Sequence, residues 1–486
     1  MRTGQEYLAR LADGRCVYMH GEAVGDVVSH PAFRGVTRTA ASLYDIASDP
    51  ASEMAGISPE TGNLANLGFM IPRSTEDLRR RRAALTRWSR RTHGFLGRGP
   101  EHVASFLAGF ASAPEVFNRA GQGYGENVSR WYRKLLNDDL YITYTIIPPQ
   151  VDRTKTAQGL DDPFVQVGVV AERDDGIVVR GAQMLGTASA ISDVVFVSCI
   201  MPLRPGDEAY ANTFMVPVAA PGVKLYCRPP YATGKPSVFD YPLSMQFDES
   251  DALVVFDDVF IPWEDVFVYR DIEVVRAQFF DTPAHILGNS QAQIRLVVKL
   301  QFLAGIARKL AAATKIDLIP SVQEKLGELA SLASIVEGMV VAAEATSVTD
   351  RNGVARPNPR FLYGAIGLQS ELYPRALNIL RELAGAGVIQ PPSSYRELLN
   401  PETLPDMTRF TGAAGLTSQE RVKLFKLAWD AIGTEFGGRH HQYEMFYAGA
   451  PYVAKGYAYR NYGYEQAVEG VDAFLRSYGV ETGLDG

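Results

Sequence analysis

The spacing of apolar residues changes twice along the chain. From about residue 74 to 138 they recur at three and four, as in "STEDLRRRRAALTRWSRRTHGFL" and "ENVSRWYRKLLNDDL", the pattern of helices with one buried face. Ser74 stands three residues before Asp77, where its hydroxyl can cap a first turn. From about 163 to 270 the period shortens to two. "FVQVGVVAE", "GIVVRGAQMLGT", "VVFVSCIM", "NTFMVPV", "VKLYCR" and "ALVVFDDVFIPW" are β-branched runs broken by Gly, Pro and Asp, and no helical pattern lies between them. From about 286 to 480 long helical stretches return: "QAQIRLVVKLQFLAGIARKLAAATK", "VQEKLGELASLASIVEGMVVAAEATS", "PRALNILRELAGAG" and "QERVKLFKLAWDAIG". The expected fold class is α+β: a mainly helical domain over 1–150, a central antiparallel β-sandwich or barrel over 151–280, and a C-terminal four-helix bundle with a tail over 281–486. A Pro-rich excursion, "GAGVIQPPSSYRELLNPETLPDMTRFTG", interrupts the bundle and is expected to cover a neighbour or a site.

Composition narrows the function. With 486 residues, 46% hydrophobic and 21% charged, the chain has the ordinary globular balance and enough length for two or three domains. No stretch reads as the roughly 20 uncharged apolar residues that cross a bilayer, so no membrane partner is expected. A formal net charge of -7 argues against nucleic acid as a partner, since that grip needs a basic surface. The one basic run, "RRRRAALTRWSRR" from Arg79 to Arg91, reads as a solvated or interface helix. Cys16, Cys199 and Cys227 lack a CxxC spacing, which excludes a cysteine zinc site and fits a reducing, cytoplasmic setting. The opening "MRTGQEYLARLADGR" has no apolar signal core, so export is not expected.

The seven histidines form neither HExxH nor an i, i+4 pair, and no metal is expected. There is no GxSxG. The stretch "GFLGRGPEHV" at 94–103 lacks the glycine spacing and preceding strand of a dinucleotide fingerprint. It reads instead as a helix ending at Gly94 or Gly97 and another opening at Pro100, with Glu101 beside the positive end. Arg98 is left without a structural reason. In "LYITYTIIPPQVDRTK", Asp152 and Arg153 read as a surface pair on the way into the β domain. In "RGAQMLGTASAISDVVFV", Thr187, Ser189 and Ser192 form a hydroxyl-rich turn that suits a flat ligand such as a flavin ring, although an ordinary turn also explains it. In "GTEFGGRHHQYEMFYAGAPY", Gly437, Gly438 and Arg439 stand where a helix start could hold a diphosphate.

The order of zones resembles the acyl-CoA dehydrogenase-like flavoproteins. The opening "TGQEYLARLADGRCVYMHGEAVGDVVSHPAFRG", then "PPQVDR", "FDDVFIPWEDVFVY" and "ERVKLFKLAWDAIGTEFGGRH" narrow this. From Met1 to about residue 450 the chain resembles the 4-hydroxyphenylacetate 3-hydroxylase family, which includes 4-coumarate 3-hydroxylases. The resemblance implies the oxygenase component of a two-component monooxygenase. FADH2 from a separate NAD(P)H-dependent reductase would bind between β domain and bundle, and O2 would be the co-substrate. A C4a-hydroperoxyflavin would hydroxylate a phenol ortho to its hydroxyl. It also implies a homotetramer built as a dimer of dimers, and a mobile lid at about Arg204 to Asn212.

Carried over by residue, the family's phenol-binding arginine is Arg98. Where the family has tyrosine this chain has His102, and where it has histidine this chain has Tyr144, so the imidazole and phenol have exchanged places. The implied roles are His102 as acceptor of the phenol proton, Arg98 as oxyanion partner and Tyr144 as hydrogen-bond donor. The rival reading is a pocket rebuilt for a different substrate, such as a larger phenol, an indole or pyrrole ring, or an amine to be N-hydroxylated. Flavin contacts carry over to Gln150, Asp152, Arg153 and Thr187, and to Gly437, Gly438 and Arg439.

Overall fold

The computed structural model describes residues 1–232 and 237–478. Its core is laid down by the short-period zone. One sheet has six strands in the order Glu22–Ala23, Cys16–Met19, Val223–Cys227, Ala252–Pro262, Gly176–Gln183 and Gly168–Arg173. The other has four: Val266–Val268, Thr213–Pro217, Val194–Val197 and Ile142–Thr145. Ladders among strands between Gly168 and Val268 are antiparallel. Two ladders correct the purely antiparallel expectation. Cys16–Met19 runs parallel to Val223–Cys227, and Ile142–Thr145 runs parallel to Val194–Val197. Both added strands come from the first 150 residues, where their short apolar runs sit among helical patterns. They pair with partners far away in sequence, which a local period does not register.

The helical zones follow their patterns more closely. Thr75–Arg91 opens with the Ser74 side chain accepting from the Asp77 N–H. Its basic run is not all solvated: Arg81 is buried and donates to the Gly68 carbonyl and to Ser105. The chain leaves this helix through Gly94, whose φ of +74° favours glycine. Pro100 then opens the Pro100–Ala111 helix, with Gly99 as the cap.

The bundle is made by Ala284–Ala313, Pro320–Ala345, Pro359–Ala384 and Ser418–Ile432. The second of these departs from expectation: a window of it has a mean hydropathy of 1.6, long and apolar enough by composition to cross a bilayer, and only 28% of that window is buried. One side packs on the first and third bundle helices, and the other exposes apolar residues such as Ile335 and Val341. The Pro-rich excursion folds as short turns and the Leu404–Phe410 helix, tied down where the Tyr395 N–H donates to Asp240 at 3.0 Å.

The Pro100–Ala111 helix, which carries His102, crosses the long Ala284–Ala313 helix at glycines. A Cβ on Gly109 would lie 2.3 Å from Ala284 Cα, and one on Gly288 would lie 2.3 Å from the Phe106 ring. This close approach brings the start of one helix against the polar stretch of the other.

Candidate active site

Arg98 lies two residues ahead of the Pro100–Ala111 helix, and its main chain is fixed from two directions. Its N–H donates to Glu249 Oε1, and its carbonyl accepts the Tyr141 hydroxyl at 2.7 Å. The guanidinium lies 4.8 Å from the Tyr144 ring centroid and 5.2 Å from those of Tyr443 and Tyr447. Its Nη1 donates to His102 Nε2 at 2.6 Å. His102 is fully buried, with its ring 5.3 Å from that of Tyr144. Arg98, His102 and Tyr144, three positions separated by helix and strand in the sequence, are therefore one cluster. Tyr144 enters it through its ring.

Burial, reinforced by the Arg98 charge, holds the His102 pKa well below the ordinary histidine value, so its imidazole is neutral. Burial also works against the charge on Arg98, but Tyr144, Tyr443, Tyr447 and Glu249 outweigh it and hold its pKa above the ordinary value. A neutral imidazole beside a permanent cation, walled by aromatic rings, can take a hydrogen bond from a flat weak acid and stabilise the anion left behind.

The flavin candidates divide into three groups. Thr187 sits on a turn in which Leu185 and Ala188 adopt left-handed φ of 58° and 63°. Its carbonyl accepts from Thr143, the neighbour of Tyr144, at 2.6 Å, and its hydroxyl donates to Asp251 at 2.6 Å. Ser189 and Ser192 bond back to the Gly186 and Ala188 carbonyls, so these two hydroxyls hold the turn together and do not face a ligand. Gln150, Asp152 and Arg153 follow Tyr144 by six to nine residues, beyond the end of the Ile142–Thr145 strand. Gln150 and Arg153 are exposed, while Asp152 turns onto Thr154. A buried turn beside the cluster and an exposed loop further along one segment fit an elongated ligand such as FAD better than a compact one.

The third group is corrected. Gly437, Gly438 and Arg439 lie inside the Glu435–Met445 helix and not ahead of it. The Gly437 N–H is taken by the Thr434 cap, and a Cβ there would meet the Ala431 carbonyl at 2.8 Å, so this glycine serves helix packing. Arg439 is held by Glu249 at 3.0 Å and Asp251 at 2.8 Å. Although burial would raise it, the Asp251 pKa is held far below the usual carboxylate range by Arg439 and Arg228. Arg439 therefore reaches Thr187 only through Asp251.

Sequence reasoning missed the groups behind the cluster. Gln291 contacts His102 on one side and Glu101 on the other. Deeper in the bundle, Arg295 meets Glu444 through Nη1 and Nη2 at 2.7 and 2.9 Å, and Lys299 reaches the same carboxylate at 2.9 Å. One signal was available. Asn289, Gln291, Gln293, Arg295 and Lys299 interrupt an otherwise apolar run, and all five are buried. Tyr443 and Tyr447 show a second, an aromatic pair four residues apart at the end of the Glu435–Met445 helix and in the turn that follows it.

The model for 4-hydroxyphenylacetate 3-hydroxylase N terminal matches residues 3–268, and that for the C terminal matches 275–476. The second match passes the point near 450 where the resemblance was expected to end. The 4-hydroxyphenylacetate 3-monooxygenase oxygenase component of Pseudomonas aeruginosa is 37% identical over 458 residues, 92% of this chain and 86% of that one. The 4-nitrophenol 2-monooxygenase oxygenase component of a Rhodococcus species is 36% identical, over 99% and 93% of the two chains. A crystal structure of the oxygenase component of 4-hydroxyphenylacetate 3-monooxygenase, complexed with FAD and 4-hydroxyphenylacetate, superposes with a TM-score of 0.92. It is 34% identical and covers 98% of this chain and 99% of its own. The fold is the acyl-CoA dehydrogenase-like one.

Proposed function

The chain belongs to the 4-hydroxyphenylacetate 3-hydroxylase family, and from that premise we propose that it is the oxygenase component of a two-component system, taking FADH2 from a separate reductase and using O2 to hydroxylate a phenol ortho to its hydroxyl. Reduced FAD, when bound, supplies the activated oxygen. Thr187, on its Asp251-anchored turn, and the Gln150, Asp152 and Arg153 loop are the residues proposed to hold it.

The remaining work belongs to the protein. The observation that carries the reading is the Arg98 to His102 hydrogen bond under three tyrosine rings. A phenol entering between the two residues takes the Arg98 donor onto its oxygen and offers its own proton to His102 Nε2. His102 is too weak a base to remove that proton alone, because its conjugate acid is strongly disfavoured. The Arg98 charge makes up the difference by stabilising the phenolate. The rings exclude water, so that oxygen reaches the substrate and does not escape as H2O2. Tyr144 acts as a wall of the site, and the exchange of His and Tyr keeps one base and one aromatic face. The indole, pyrrole and N-oxygenation alternatives are not favoured, since the relatives that name their substrates act on phenols.

We further propose a homotetramer, dimer of dimers, using the exposed apolar side of Pro320–Ala345, and a cytoplasmic location consistent with three unbridged cysteines. The test pairs the protein with a flavin reductase and a panel of phenols, reading hydroxylated product by mass spectrometry against FADH2 consumed. Product should form ortho to the hydroxyl. His102→Ala should lower product per FADH2 by at least about tenfold while FAD affinity stays near the parent value. FADH2 oxidation that yields only H2O2 with every phenol would sink the assignment.

A further inference from the structure

We propose that Glu101 and Gln291 are positioning residues for this reaction: the Glu101 carboxyl orients the Gln291 amide, and the amide fixes His102 in the tautomer that leaves a lone pair on Nε2. The proposal rests on the phenol-binding reading of Arg98 and His102.

The logic is one of donors and acceptors. A guanidinium only donates, so the bond from Arg98 Nη1 requires an unprotonated Nε2 on His102. A neutral imidazole then carries its hydrogen on Nδ1. That atom lies 3.2 Å from Gln291 Oε1, which accepts it. The other end of the same amide, Nε2, donates to Glu101 Oε1 at 2.9 Å. Every bond in the series runs one way, from Arg98 through His102 and Gln291 to Glu101. Turning the amide over would place its NH2 against the Nδ1 hydrogen and its carbonyl against the carboxyl oxygen, with two mismatches in place of two bonds. Glu101, His102 and Gln291 are each at most 4% exposed, so bulk water does not relieve them.

The second carboxyl oxygen explains why the terminus is a glutamate. Among the described residues Glu101 Oε2 is buried without a hydrogen-bond partner. Burial raises the Glu101 pKa to about 7, against the smaller pull of Gln291 and Arg295. Oε2 can hold a proton while Oε1 goes on accepting from the amide, so the series keeps its direction in either charge state. An amide at position 101 lacks the ionised form, which only accepts, and so can present a donor to Gln291 as readily as an acceptor. The local helix supports the placement: Pro100 and Gly99 open the turn, and the Ser105 hydroxyl takes the Glu101 carbonyl at 2.6 Å.

The experiment compares Glu101→Gln, Gln291→Leu and the exchanged pair E101Q/Q291E. Product per FADH2 should fall about tenfold in each single variant. The exchanged pair puts a carboxylate at 291 that accepts both the His102 Nδ1 hydrogen and the amide at 101; the bond between 101 and 291 reverses, but the His102 tautomer is kept, and coupling should recover to within about twofold of the parent. A flavin-free readout should follow the same pattern: binding of 4-nitrophenol in mildly acidic buffer, where it carries its proton, should weaken in the single variants and recover in the exchanged pair. A purely structural role does not predict that recovery. Parent-like coupling in Glu101→Gln, or an exchanged pair no better than the single variants, overturns the proposal. If His102→Ala itself couples and binds 4-nitrophenol as the parent does, the phenol-site reading falls and takes the proposal with it.

Discussion

Glu444 is a single carboxylate with two buried cations to satisfy. Arg295, Lys299 and Gln369 all donate to it, and both ion-pair partners are at most 1% exposed at the side chain. Replacing it with alanine leaves two uncompensated charges in the bundle and should destabilise the fold by about 3–5 kcal/mol, read from the denaturant midpoint. Burial would raise its pKa, but Arg295 and Lys299 prevail and hold it at about 2 against an unfolded value of 4.5. The native state therefore binds fewer protons in that window. Its contribution is complete above about 4.5 and is lost as pH falls toward 2, so Glu444→Gln should flatten the acid side of the stability profile. At this scale the sequence is least legible. Arg98 could be singled out because turn chemistry left it unexplained, and His102 because the family resemblance implies a tyrosine at its position. The partners of both were hidden, since Gln291 is 190 residues from Glu101 and the Arg295 to Glu444 bonds span 149.

Elements were easier to read where their ends carry local chemistry. Ser74, Gly94 and Pro100 each mark a boundary by a mechanism that acts within a few residues. The two parallel strands carry no such mark, because their identity depends on partners outside the zone. The Gly437 to Arg439 stretch misled for a related reason: a cap one turn earlier, at Thr434, had already begun the helix. What the sequence does not disclose at all is which glycines serve contact. Gly109 is one, and its effect can be measured. Gly109→Ala would press a methyl into the backbone at Ala284 and should cost about 1–3 kcal/mol as overpacking. Because this crossing seats His102 against Gln291, the same variant should lower coupling along with the melting temperature, whereas an exposed glycine such as Gly438 should change neither.

At the scale of the whole molecule, order and type of zones were legible because three long periodic stretches dominate the chain. Assembly is a matter of surface. The Pro320–Ala345 helix presents Ile335 at 44% and Val341 at 42% exposure, more apolar area than a bundle helix facing only water would carry. Sedimentation should give a tetramer, and Ile335→Lys should shift it toward dimer or monomer with secondary structure intact. The site also belongs to this scale. The backbone of Arg98 is gripped by Glu249 on the β side and by Tyr141 at the edge of the helical layer, while its side chain meets Tyr443 and Tyr447 from the bundle. An anchor that holds main-chain atoms is indifferent to the side chains around it. Positions such as 102 and 144 can therefore change occupants over evolutionary time without moving the cation, and a family built this way can acquire new substrates by drift at the walls while its floor stays in place.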